Sequence, residues 1–236
     1  FLLSDMEAFG IKTDAVVVHA GKRCPSSIVL CSYETGSRTI VHCNQDLPEL
    51  TVKDIAKLPL DTYSWIHFEG RNVKTVLEMQ SLVRESAPDV TVSVELEKAR
   101  PDMQVLVKNV DVVFVSKDYA RNMKFYSMEA AAEGIAKKIA QRCKMVIVAW
   151  GVKGACGRSS DGTIVTSNAF PPAGEVVDTL GAGDTFIAAT IFALSRQRSL
   201  QDCITFGCRV AGLKVGLKGW EPLGEYLPKA EWINTV

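Results

Sequence analysis

The sequence predicts an α/β fold: a mostly parallel sheet covered by helices, with a small antiparallel β lid. Three observations predict it. From about residue 52, strand-like runs alternate with helix-like runs, the pattern that lays helices over a parallel sheet. Residues 14–43 instead string short β-rich runs together with no helix between them. The chain has 236 residues, 47% apolar and 23% charged, enough to bury a sizeable core without disulfide staples.

The elements follow in order. Ala15–Val18, Ser27–Leu30 and Arg38–Val41 are β-rich, and Glu34-Thr35-Gly36-Ser37 between the last two is a hairpin-type turn signal. Strands are expected at 64–68, 91–96, 110–115 and 145–150, with helices at 75–85 and 127–142, the latter rich in Ala and Lys. Ser159-Ser160-Asp161-Gly162 turns a further hairpin between 155–158 and 163–166. Helices are expected over 184–195 and 200–215, and the poorly periodic stretch 220–236 is expected to be a tail. The reading is one domain over 1–219, with 14–43 as a β excursion.

Composition narrows the function. Lys plus Arg equals Asp plus Glu at 27 each, so no basic surplus points to nucleic acid. The longest apolar run, Met145–Trp150, falls far short of the ~20 residues that span a bilayer, so no membrane partner is expected. Seven cysteines form no C-x-x-C pair and are expected to be reduced, in a cytoplasmic protein. His19, His42 and His67 are too scattered for a metal cassette, and no protein metal ligand is assigned. The chain opens at Phe1 without an initiator Met, which reads as a fragment whose start lies upstream.

The most informative segment is Asp178-Thr179-Leu180-Gly181-Ala182-Gly183-Asp184-Thr185, running straight into an apolar helix. Small residues let a ligand approach the backbone, and a helix N-terminus offers unpaired N–H groups to an anion. An Asp in that first turn is placed to take a proton from an incoming hydroxyl, while the N–H groups hold charge developing on a transferred group. Asp184 alone would read equally as an ordinary N-cap. A second glycine element, Trp150-Gly151-Val152-Lys153-Gly154, follows an apolar strand, where open α/β sheets place nucleotides; alone it is also a plain strand-exit turn. A G-x-x-x-x-G-K-[ST] loop and a dinucleotide fingerprint are both absent.

The D-T-x-G-A-G-D string is the signature of the ribokinase-like (PfkB-type) carbohydrate kinases, and this chain resembles that family over roughly 1–219. Trp65–Asn72, Val112–Asp118, Ala169–Pro172 and Phe206–Gly212 resemble its ketohexokinase branch in particular. The resemblance implies ATP-dependent phosphorylation of a small sugar, fructose at its 1-hydroxyl being expected. Asp184 would be the general base and sugar contact, and the N–H groups of Gly181, Ala182 and Gly183 the anion hole. Gly151, Val152, Lys153 and Gly154 would border ATP, Arg38 would lie over its phosphates, and Phe170, Pro171 and Cys208 would line the adenine slot. Core packing accounts for those last three nearly as well, and an exposed hairpin charge accounts for Arg38. Mg2+ is expected to arrive mainly through ATP. In ketohexokinases the β excursion pairs between two subunits, which implies a homodimer through 14–43.

The sequence also departs from the family. Ala149 stands where a phosphate-contacting Thr is usual, and Val115-Ser116-Lys117-Asp118-Tyr119 replaces the N-x-x-E motif, with Asp118 a partial substitute for its acid. Glu69, Glu95 and Glu97 lie near strand ends and are expected to be solvated or ion-paired. The family's Gly-Gly-x-x-x-N sugar loop does not occur before residue 52, so the remaining sugar contacts are expected upstream of Phe1, and the sheet would expose an unpaired edge. Three readings stay open: a ketohexokinase, a ribokinase or nucleoside kinase of the same fold, and a catalytically silent nucleotide-binding fragment or isoform.

Overall fold

A computed structural model describes residues 1–31, 38–229 and 233, and contacts divide the chain into two compact units, Phe1–Pro59 and Leu60–Val236. The first unit holds α1 (Leu2–Ala8), an antiparallel ribbon of β1 (Ser26–Cys31) and β2 (Arg38–Cys43), and the short α2 (Val52–Ile55). Ile28 pairs with Val41 and Val29 with Ile40. None of the unit's described residues is buried, and Ile28, Leu30, Ile40 and Val41 stand open to water on the ribbon. Ala15–Val18, expected as a strand, is not one: Val16 N–H closes a turn onto Thr13 O, and β propensity without a pairing partner makes no ladder. The Glu34–Ser37 turn and the Arg38 side chain lie outside the described residues.

The second unit is built on six strands that neighbour one another in chain order. β3 (Trp65–Phe68), β4 (Thr91–Leu96), β5 (Val112–Val115) and β6 (Met145–Ala149) are parallel; β7 (Ala155–Ser159) and β8 (Ile164–Ser167) are added antiparallel. Parallel neighbours need crossovers. These are α3 (Val73–Ser86), a 3-10 stretch at Pro101–Val107, and α4 (Lys117–Asn122) with α5 (Met128–Lys138). α6 (Ala182–Ser195), α7 (Leu200–Val215) and α8 (Leu223–Tyr226) complete the unit.

Side-chain alternation along each strand sorts residues to the two faces. Val112, Phe114 and Ile147 meet Phe186, Ala189, Ala193, Ile204 and Phe206 from α6 and α7 in one buried cluster. The opposite face carries α5, tied by the Glu133–Arg158 ion pair to β7. Asp111, accepting from Arg84 and from Val92 N–H, fastens α3 to the N-terminal ends of the strands. Residues 220–229, expected as a tail, pack on this unit: Leu223 is buried, and Leu227 and Ile233 lie against the α6/α7 cluster. The carboxyl ends of β4, β5 and β6 open toward the start of α6, and the candidate site forms there.

Candidate active site

Gly181 starts α6. Its φ of +69° is one that L side chains rarely adopt, and a Cβ would stand 2.0 Å from Cζ2 of Trp220. Gly183, two residues on, has nothing within 4 Å of where a Cβ would stand, so this face of the turn is open. Among the described residues nothing accepts from the N–H groups of Gly181, Gly183 and Asp184, as expected for a helix N-terminus. The Ala182 N–H differs: it donates to Thr179 O at 3.3 Å. Of the expected trio, Gly181 and Gly183 therefore keep N–H groups without an acceptor, as does Asp184 itself.

Asp184 is exposed in the first turn of α6. With Gly183 it lines a cavity of about 90 Å³ that also takes in Glu95, Glu97, Phe114, Ser116 and Ala149 from the strand ends. A carboxylate and unpaired N–H donors thus share one small space where strands end. That is the arrangement general-base chemistry on a hydroxyl requires.

Glu95 is the residue that sequence reasoning undervalued. The register sets it opposite Phe114, which faces α6, so its carboxyl is directed to the cavity instead of to solvent. It is half-buried, with no hydrogen-bond or ion-pair partner among the described residues. Burial first, then the charges of Glu97, Asp184 and Glu69, push its pKa from 4.5 up to about 7. Glu69 and Glu97 are exposed, as expected. Ser116 caps α4, accepting from Tyr119 N–H at 3.0 Å, and Asp118 is exposed and outside the cavity lining.

The second glycine element forms a tight 3-10 turn after β6, starting just beyond Ala149. Gly154, at φ +95°, fits where a Cβ would lie 1.9 Å from Ser167 O, so the turn is pressed onto the end of β8. Val152 is almost wholly exposed, and Lys153 is exposed beside it. Phe170, Pro171 and Pro172 wall a separate cleft of about 540 Å³ with Arg209, Leu213, Tyr226 and Lys229. Cys208 does not join them. It is buried in the α6/α7 core, where burial pushes its thiol to about 11, and its neighbour Arg209 faces the cleft instead.

Asp178, at the head of the motif, is held firmly. Its Oδ2 accepts from Lys214 Nζ at 2.8 Å and from Gly219 N–H at 3.2 Å, and its Oδ1 accepts from Leu180 N–H at 2.9 Å. The hydrogen bond from Lys214, then that from Leu180, hold its carboxyl below the usual range. No group of three or more His, Cys, Asp or Glu side chains among the described residues could hold a metal ion.

The family described as pfkB family carbohydrate kinase matches residues 1–222. Mouse ketohexokinase is 38% identical over 227 residues, covering 94% of this chain and 76% of that protein. Among solved structures, ribokinase from Giardia lamblia is similar in fold at a TM-score of 0.79 and 17% identity, over 97% of this chain and 78% of that one. Arabidopsis thaliana ribokinase, solved with ribose and ATP, gives 0.70 at 21% identity, over 84% and 65% of the two chains. With a family match across nearly its whole length and a relative of this identity, the chain belongs to the pfkB family of carbohydrate kinases and is an ATP-dependent sugar kinase of ribokinase-like fold.

Proposed function

We propose that this kinase phosphorylates a ketose, fructose at its 1-hydroxyl, with Asp184 as general base and the N-terminus of α6 as anion hole. One observation carries the reading: Asp184 and Gly183, whose backbone N–H groups have no acceptor among the described residues, border the same cavity at the strand ends. In the step, the sugar hydroxyl gives its proton to Asp184 as its oxygen bonds to the γ-phosphorus. The bond from that phosphorus to the bridging oxygen breaks, and ADP leaves. The likeness to mouse ketohexokinase supports fructose over ribose.

Electrostatics support a division of the cavity. Glu95, Glu97 and Asp184 make one wall acidic, which repels a phosphate but accepts hydrogen bonds from a polyol. The helix N-terminus, with its partial positive charge, suits the phosphoryl group. The Gly151–Gly154 turn, with Gly151, Val152 and Lys153 exposed, would border the remaining phosphates, and the Phe170–Pro171 cleft would take the adenine. A magnesium ion would be held mainly by the triphosphate, whose charge it neutralises, since the described side chains assemble no cage for it. The exposed apolar residues of the β1–β2 ribbon suit pairing with a second copy, giving a homodimer.

The test is Asp184→Asn. ATP binding should stay close to normal while turnover with fructose drops by at least ~10²-fold. Near-normal turnover in this variant would remove Asp184 from the role. Higher turnover with ribose or a nucleoside than with fructose would reassign the substrate.

A further inference from the structure

We infer that Thr185, Trp220 and Lys214 are positioning residues that fix the anion-hole turn from outside, an inference that rests on reading Gly181–Gly183 as that hole. A Gly-Ala-Gly turn has no side chain long enough to anchor itself, so its geometry must be imposed by neighbours. The structure supplies an anchor at each end.

At the entry, Lys214 Nζ donates to both the backbone O and Oδ2 of Asp178, at 3.0 and 2.8 Å. The N–H groups of Val177 and Asp178 both donate to Val215 O, at 2.8 and 3.1 Å. At the exit, Thr185 Oγ1 donates to Gly181 O at 2.8 Å and accepts from Trp220 Nε1 at 3.1 Å. The Trp220 ring fills the space a Cβ on Gly181 would need, and Lys214 Nζ lies 5.2 Å from the ring centroid. One circuit therefore links both ends of the turn through residues 35 or more positions away.

Lys214 is 0% exposed. Burying an ammonium carries a large desolvation cost, and apolar residues of similar volume in place of a whole buried ion pair often stabilise a fold as well or better. Its two bonds converge on the first residue of the motif, so the charge goes to fixing that residue. A single hydroxyl and a single indole N–H hold the other end, and small displacements of oriented donors carry large kinetic penalties.

The decisive pair is Thr185→Val, which keeps the shape and removes both hydrogen bonds, and Thr185→Ser, which keeps both. Trp220→Phe, which retains a packing ring without the N–H, is the second variant. Each is measured for kcat and KM with fructose, and for affinity toward Mg·ADP alone and Mg·ADP with aluminium fluoride and fructose, a mimic of the transferring phosphoryl group. Thr185→Val and Trp220→Phe should lose about 10–100-fold in kcat and in affinity for the fluoride complex. Mg·ADP affinity and KM should stay within about threefold, and Thr185→Ser should match the parent. Unchanged kcat and fluoride affinity in both variants, or equal losses for Mg·ADP with and without fluoride, would overturn the positioning role. Failure of the underlying reading looks different: the parent would bind the fluoride complex no tighter than Mg·ADP, and the inference would fall with it.

Discussion

Replacing Glu95 with Gln should change how stability depends on pH, in a direction and size fixed by the cavity. The native carboxyl titrates near 7 and its ordinary value is 4.5, so between these values the folded chain holds a proton that the unfolded chain has released. Stability is therefore at its fullest below pH 4.5 and falls as pH rises through about 7. At about 1.4 kcal/mol per pH unit the full gap is worth about 3 kcal/mol, and partial solvation of the carboxyl lowers this to about 1–2 kcal/mol. Glu95→Gln has no proton to lose. It should gain about 1 kcal/mol or more on the parent between pH 5 and pH 8.5, which at roughly 2 kcal/mol/M is about 0.5 M in urea midpoint. Residues 1–59 hold no tryptophan, and Trp65, Trp150 and Trp220 lie in the second unit, so intrinsic fluorescence reports the unit that contains Glu95. Parallel midpoints for the two proteins across this pH range would show that the carboxyl is well solvated, and the burial of Glu95 in the cavity would lose its argument.

Two glycines of the site should respond oppositely to a methyl group. Gly154→Ala places Cβ 1.9 Å from Ser167 O at a positive φ and should cost about 3 kcal/mol, read by thermal or urea unfolding. Gly183→Ala meets nothing within 4 Å and should leave stability unchanged or raise it by up to about 1 kcal/mol, yet lose turnover because the methyl stands where the phosphoryl group would approach. Of the six cysteines whose side chains are described, Cys24 and Cys43 are exposed and should be alkylated by iodoacetamide in the native protein. Cys143, Cys156 and Cys203, pushed by burial to about 12, should react only after unfolding; mass spectrometry of labelled peptides reads both classes. Lys214→Met removes the buried ammonium but leaves Asp178 its bonds from Leu180 and Gly219, so destabilisation of about 2 kcal/mol is expected by urea unfolding.

The second unit was largely legible in the sequence because its strands and helices carry strong local patterns. α7 runs over Leu200–Val215 as its periodicity predicts, since Ser199 caps one end by accepting from Asp202 N–H and Gly216 follows the other. α6 begins at Ala182, two residues earlier than expected, because Gly181 in the left-handed region turns the chain directly into helix. The helix expected to reach residue 142 ends at Lys138, where Ala140 N–H turns back to Ile135 O, and Ala140 and Cys143 are buried just before β6. α4 was missed: six residues hold too few turns to show a period.

The Asp178–Asp184 motif was legible, whereas what holds and surrounds it was not, and the reason is register and distance. Whether Glu95 faces water or the cavity depends on its pairing with Phe114, and a one-residue slip would reverse the answer with no change in the local sequence. Trp220 heads a stretch with no helical period, so in sequence it resembles the start of a tail; its partner Thr185 is 35 residues back, on the far side of α7 in the chain. Lys214 reads as one more cation in the last turn of a helix, where Lys is common, and only its 0% exposure distinguishes it from a solvated one. Local motifs thus nominate candidate reacting groups, because chemistry demands particular residue types at adjacent positions. The groups that aim them are recruited from wherever the fold brings a donor within about 3 Å, and only the folded chain reveals which those are.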